Sequence, residues 1–155
     1  MSPLTQDFVQ NLLNLLEETC EAKNHGIYLD RGTSLLETLE TVSAKEASVP
    51  VGGKCASLAA QIAHVILYFE VLEKYLRKQE VGQVDWGEVW RSTEEVTPEE
   101  WEQHKLNLRN AYQNIHKALR ENEIWDEDSI GNAMAIVVHA AYHLGEIRQA
   151  LCTLK

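Results

Sequence analysis

The chain has 155 residues, 45% of them hydrophobic, with 24 acidic against 14 basic side chains and a net charge of −10. Residues 1–155 are enough for a single domain with a real core. The acidic balance, with Lys and Arg scattered among acids and no basic patch, argues against nucleic acid and anionic membrane surfaces as partners. Cys20, Cys55 and Cys152 form no CxxC pair and no even set, so reduced thiols and a cytoplasmic location are expected. The first residues lack the basic start and apolar core of a signal peptide, and no stretch has the length of a membrane span.

Three prolines and eight glycines are few breakers, which favours long helices. A first long helix is expected from about Pro3 to Ala22, capped by Ser2, with Leu4, Phe8, Leu12, Leu15 and Leu16 in helical register. A loop from Lys23 to Thr33 follows. A short helix then starts at Ser34, where Ser34-Leu-Leu-Glu37 is a capping box. Ser43 to Gly53 reads as irregular. A second long helix is expected from about Lys54 to Arg77, apolar nearly all round between Ala56 and Phe69 and interrupted by Ser57, Gln61, His64 and Tyr68.

Lys78 to Val96 reads as a loop carrying Trp86 and Trp90, which either cover a cleft or close a hydrophobic edge. A third long helix opens at Thr97-Pro98-Glu99-Glu100 and runs to about Arg120, with Trp101, Leu108, Tyr112, Ile115 and Leu119 on one stripe. The fourth is expected from near Ser129 to near Thr153, its stripe being Ile130, Met134, Val137, Ala141, Leu144, Ile147 and Leu151. No segment alternates with period two between hairpin turns, so no sheet is expected. The sum is an all-α fold: a four-helix bundle with an extra short helix, and room for a long crossover between the first two long helices.

The segment from Ala133 to Gly145 is almost purely apolar except for His139 and His143. Spaced four apart on a helix, two imidazoles stack on one face and can grip one metal ion. Burying them without such a partner is costly. With Val137 as the core direction and about 100° per residue, His143 falls about 120° and His139 about 160° off the main stripe. They share a side face with Asn132, Ile136, Glu146 and Ala150. On the second long helix, with Ile62 as core direction, His64 is displaced in the same way, beside Tyr68, Val71 and Tyr75. A cleft between these two helices, beside the core, is therefore expected. Each histidine alone is compatible with a hydrogen-bonded core residue. The three together suggest a metal site with an open coordination position, suited to Zn, Ni or Fe. His104 and His116 fall on the charged third helix, and His25 in a loop.

Absent motifs narrow the chemistry. His139-Ala-Ala-Tyr-His143 lacks the glutamate that a zincin protease uses as its base. No Glu-x-x-His occurs, which excludes the usual di-iron bundle. The acidic run from Glu94 to Glu102 reads as a helix start.

The motif His139-Ala-Ala-Tyr-His143-Leu-Gly145-Glu146-Ile147-Arg148-Gln149, with His64 in Gln61-Ile-Ala-His64-Val-Ile, resembles the DinB-like (damage-inducible) superfamily, which includes bacillithiol and mycothiol S-transferases. The stretch Tyr28-Leu-Asp-Arg-Gly-Thr-Ser34-Leu-Leu-Glu-Thr-Leu also looks like one of its subgroups. The resemblance covers nearly the whole chain, with Glu146 where glutamine is frequent. It implies a divalent metal held by His64, His139 and His143, a homodimer, and chemistry on a low-molecular-weight thiol. A bound thiol or water becomes a nucleophile near neutral pH at such a site. Glu146 can then orient His143 or take a proton, and Tyr68 and Tyr142 can donate hydrogen bonds to a small-molecule substrate or simply pack. Two functions stay open: a metal-dependent thiol S-transferase or hydrolase, and a noncatalytic helical metal-binding or oligomerisation module.

Overall fold

The computed structural model describes residues 2–21, 26–53, 55–93 and 95–154. His25, Ala22, Lys23, Lys54 and Glu94 lie outside them. The described residues are all-helical and contain no strand. Four long helices are present: α1 (Pro3–Glu21), α4 (Leu58–Leu76), α6 (Pro98–Glu121) and α7 (Glu127–Leu154). Short helices α2 (Leu35–Glu40), α3 (Ala44–Ser48) and α5 (Glu88–Ser92), with a 3₁₀ turn at Val51–Gly53, fill the connections. Among the described residues no single helix is long and apolar enough to cross a membrane.

Capping chemistry sets most of the starts. Ser34 and Glu37 close a capping box on α2, and Thr97 and Glu100 close one on α6 behind Pro98. Ser43 and Glu46 close a third box, on α3, inside the stretch read from sequence as irregular. Five residues give no periodic stripe, so only the cap announces that helix. Ser57 caps α4 by accepting from the Ala60 N–H, which puts the start of this helix at Leu58, later than expected. The segment read as a plain loop from Lys78 to Val96 contains α5.

α1 lies against α6 and α7, and α4 lies against the same two. The consecutive helices α1 and α4 thus stand on a diagonal, and the chain between them crosses over α6. In that crossing α2 touches α1 and α6, and α3 touches α6 and α4. Leu16, Leu35, Ile62, Phe69, Ile115 and Ile136 are fully enclosed in the centre. Trp101 is also enclosed, and its indole N–H donates to the Val42 carbonyl at 2.8 Å, fastening α6 to the crossover. The expected stripe of α6 is buried throughout.

Two stripes need correction. Leu4 of α1 is exposed, one turn before the helix meets its neighbours. On α7 the buried line runs through Ala133, Ile136, Ala140, His143, Leu144 and Ile147, while Met134 is 52% exposed and Val137 only half-buried. The inward direction is therefore about 70° from that marked by Val137. The helix is apolar nearly all round, and a stripe chosen by side-chain size misses the alanines, whose small size suits a closely packed face.

Candidate metal centre

The corrected face of α7 changes where the histidines sit. His143 lies on the buried line itself, 5% exposed, and His139 stands one turn before it at the edge of the same face. His64 comes from α4, the helix packed against this face. The Nε2 atoms of His64 and His139 are 3.1 Å apart. One ligand nitrogen from each of His64, His139 and His143 lies within 4.8 Å of the other two. Two nitrogens held by one zinc at about 2.0–2.1 Å stand about 3.3 Å apart in a tetrahedron, so the His64–His139 separation fits a shared ion.

Glu146 and the aromatic rings complete the surroundings. One Glu146 oxygen accepts from the Tyr142 hydroxyl at 2.6 Å, and the other lies 3.0 Å from Nδ1 of His143. This second contact is close but off the line of a good hydrogen bond, and the Nδ1 atoms of all three histidines are buried without an aligned partner among the described residues. With Nδ1 of His143 turned to Glu146, its Nε2 is the atom left for the cluster. Tyr68 stacks flat on His139, with ring centres 3.6 Å apart and 7° between planes. Trp90, carried by α5, lies 4.5 Å from the His64 ring, and Trp86 lies 5.7 Å from Tyr68. Asp85 holds α5 in this place by accepting from the Gly87 N–H at 2.9 Å and from the Arg91 guanidinium.

The surroundings keep the imidazoles neutral, which is the form that binds metal. Burial first, then the proximity of His143 and His64, pulls the His139 imidazole down to about 3. Burial and then His143 lower His64, against an opposing pull from Glu146. Burial lowers His143 too, again opposed by Glu146.

An open cleft of about 520 Å³ gives access to the cluster. It is lined by Cys55, Ala56, Gln61, His64, Trp90, His139, Tyr142, His143 and Glu146. Tyr68 is at the site as the ring behind His139 and does not line this cleft. Tyr142 lines it but is 59% exposed, and its hydroxyl is given to Glu146. His104 and His116 are elsewhere: His104 meets the Glu100 carbonyl, and His116 pairs with Glu17 of α1 at 2.8 Å.

Gln61 and Cys55 were not picked out as site residues from sequence. Gln61 carries a signal, since it stands one turn before His64 on the same helix. Cys55 reaches the cleft from the loop before α4 and Trp90 from α5, placements that spacing along the chain does not encode. No protein-family model matches the chain, and no curated protein or solved structure is significantly similar to it.

Proposed function

We propose that this chain is a divalent-metal-binding protein built as a four-helix bundle of the DinB-like type, with His64, His139 and His143 as the ligands of Zn, Ni or Fe. The observation that carries the reading is the convergence of three neutral imidazoles, one ligand atom from each lying within 4.8 Å of the others. Such an ion, once bound, lowers the pKa of a thiol or water attached to it. We further propose that the site acts on a small molecule, as a thiol S-transferase or a hydrolase.

The protein's own residues have definite parts in that reading. Glu146 lies against Nδ1 of the His143 ring from outside the ligand set and is the carboxylate of the cleft wall placed to receive a proton. Tyr68 holds the His139 ring by stacking. Trp90 screens His64 from solvent on the side of α5. Tyr142 can donate to a substrate only after releasing Glu146. The deciding experiment is metal analysis of purified protein reconstituted with Zn²⁺, beside His64→Ala, His139→Ala and His143→Ala. About one ion per chain is expected in the parent and a weakened site in each variant. Equal metal content in all four samples would refute the site.

A second reading, a noncatalytic oligomerisation module, is favoured by the outer face of α7. Met134, Val138 and Tyr142 follow one another at four-residue spacing there and are 52%, 65% and 59% exposed. Apolar side chains aligned on one outward face suit contact with a second copy of the chain. In this homodimer Met134 and Val138 would meet the second copy outside the metal cleft, with Tyr142 at the cleft's rim.

A further inference from the structure

Gln61 is 93% buried, at 7% relative exposure, and its Oε1 has no hydrogen-bond partner among the described residues. A buried acceptor left bare costs more than an ordinary hydrogen bond returns, so such an atom calls for a partner that enters from outside. The side chain lines the cleft that holds the three histidines. It precedes His64 by three residues on α4, which sets their Cβ atoms about 5–6 Å apart on one face. The other polar groups of the wall are differently placed: the Tyr142 hydroxyl and a Glu146 oxygen are engaged with each other. Trp90 and Ala56 offer apolar surface.

We propose that Gln61 is a specificity-determining residue of this cleft. Turned about its last bond so that the oxygen faces the cleft, its amide accepts a hydrogen bond from an O–H or N–H on a small molecule whose other end is held at His64, His139 and His143. This rests on the three-histidine metal reading and narrows its substrate class. The ligand is a short bifunctional molecule with a metal-seeking head and a neutral hydrogen-bond donor close to it. Beyond the donor there is room for a substituent. A second hollow of about 400 Å³, which shares Cys55, Ala56 and Trp90 with the cleft, reaches Ser48 and Pro50.

The test uses full-length protein loaded with Co²⁺, whose visible and charge-transfer absorption reports thiolate binding. Two probes of the same size are titrated, 2-mercaptoethanol and 1-propanethiol, which differ by a hydroxyl in place of a methyl. The readout is the ratio of their affinities, in the parent and in Gln61→Met, which keeps length but has no amide. Cobalt content is expected to be unchanged, and the preference for the hydroxyl probe to fall about fivefold in the variant, the worth of one neutral hydrogen bond. The same ratio in both proteins would overturn the proposal. If Gln61→Met overpacks and fails to fold, Gln61→Ala gives the same comparison with a smaller side chain. Failure of the parent to take up Co²⁺ would remove the metal reading and this inference together. Uptake with a preference indifferent to Gln61 would remove this inference alone.

Discussion

His139 is the residue whose surroundings most alter its chemistry. Buried, and crowded by the imidazoles of His143 and then His64, its ring is held far below the ordinary value of 6.5, at about 3. Between those two values an unfolded chain binds a proton that the folded chain refuses. Proton uptake then favours unfolding, so stability falls as pH drops below about 6.5 and goes on falling towards 3. His64 and His143 are lowered as well and add to the same slope. Metal-free protein is thus expected to lose denaturant resistance steadily across this window, and His139→Gln to flatten the loss. Urea midpoints measured from pH 7 downwards check this, and an unchanged slope in the variant would contradict it. The identity of these three side chains was readable from spacing, because apolar helices leave few polar positions to choose from. Their depth was not. His143 is in the core because α7 turns Ala133, Ala140 and Ala150 inward on the same side.

At the scale of elements, the caps carried most of the legible information. Ser34 with Glu37 and Thr97 with Glu100 start helices where their spacing says they should. The box of Ser43 with Glu46 has the same spacing, but nothing apolar repeats behind it, so the pattern alone does not mark a helix there. α5 has no side-chain cap bond and starts after Gly87, so its sequence hardly differs from a loop. Its position depends on Asp85, and through it Trp90 reaches His64. α7 is the element with two apolar sides, one inward and one outward. Val138 is at the middle of its outward row, and Val138→Glu puts a charge there without touching the cleft. Light scattering is expected to give twice the 17.6 kDa chain mass for the parent and the single mass for the variant, with helix content and metal uptake retained. A parent that is already monomeric would refute the dimer.

For the whole molecule, an all-helical fold followed from the absence of period-two patterning and the scarcity of breakers. The crossover was foreseeable as a long connection between the first two long helices, but its route over α6 depends on contacts far apart in sequence. Trp101 bonding to Val42 is an example, the partners being 59 positions apart. The cluster of histidines has the same character. His64 and His139 are 75 residues apart in the chain and 3.1 Å apart in space. An ion shared between them would therefore be a cross-link. Closing a loop of that size removes entropy from the unfolded chain worth about 4 kcal/mol on the scale used for disulfides. His64→Ala leaves His139 and His143 as a pair on one helix, able to retain an ion but tying nothing across the fold. Saturating Zn²⁺ is expected to raise the thermal midpoint strongly in the parent and far less in this variant, with equal shifts counting against the bridge. A chelator would then act on this protein as a reducing agent acts on one held by a disulfide: it would cut a strap and leave the packing in place.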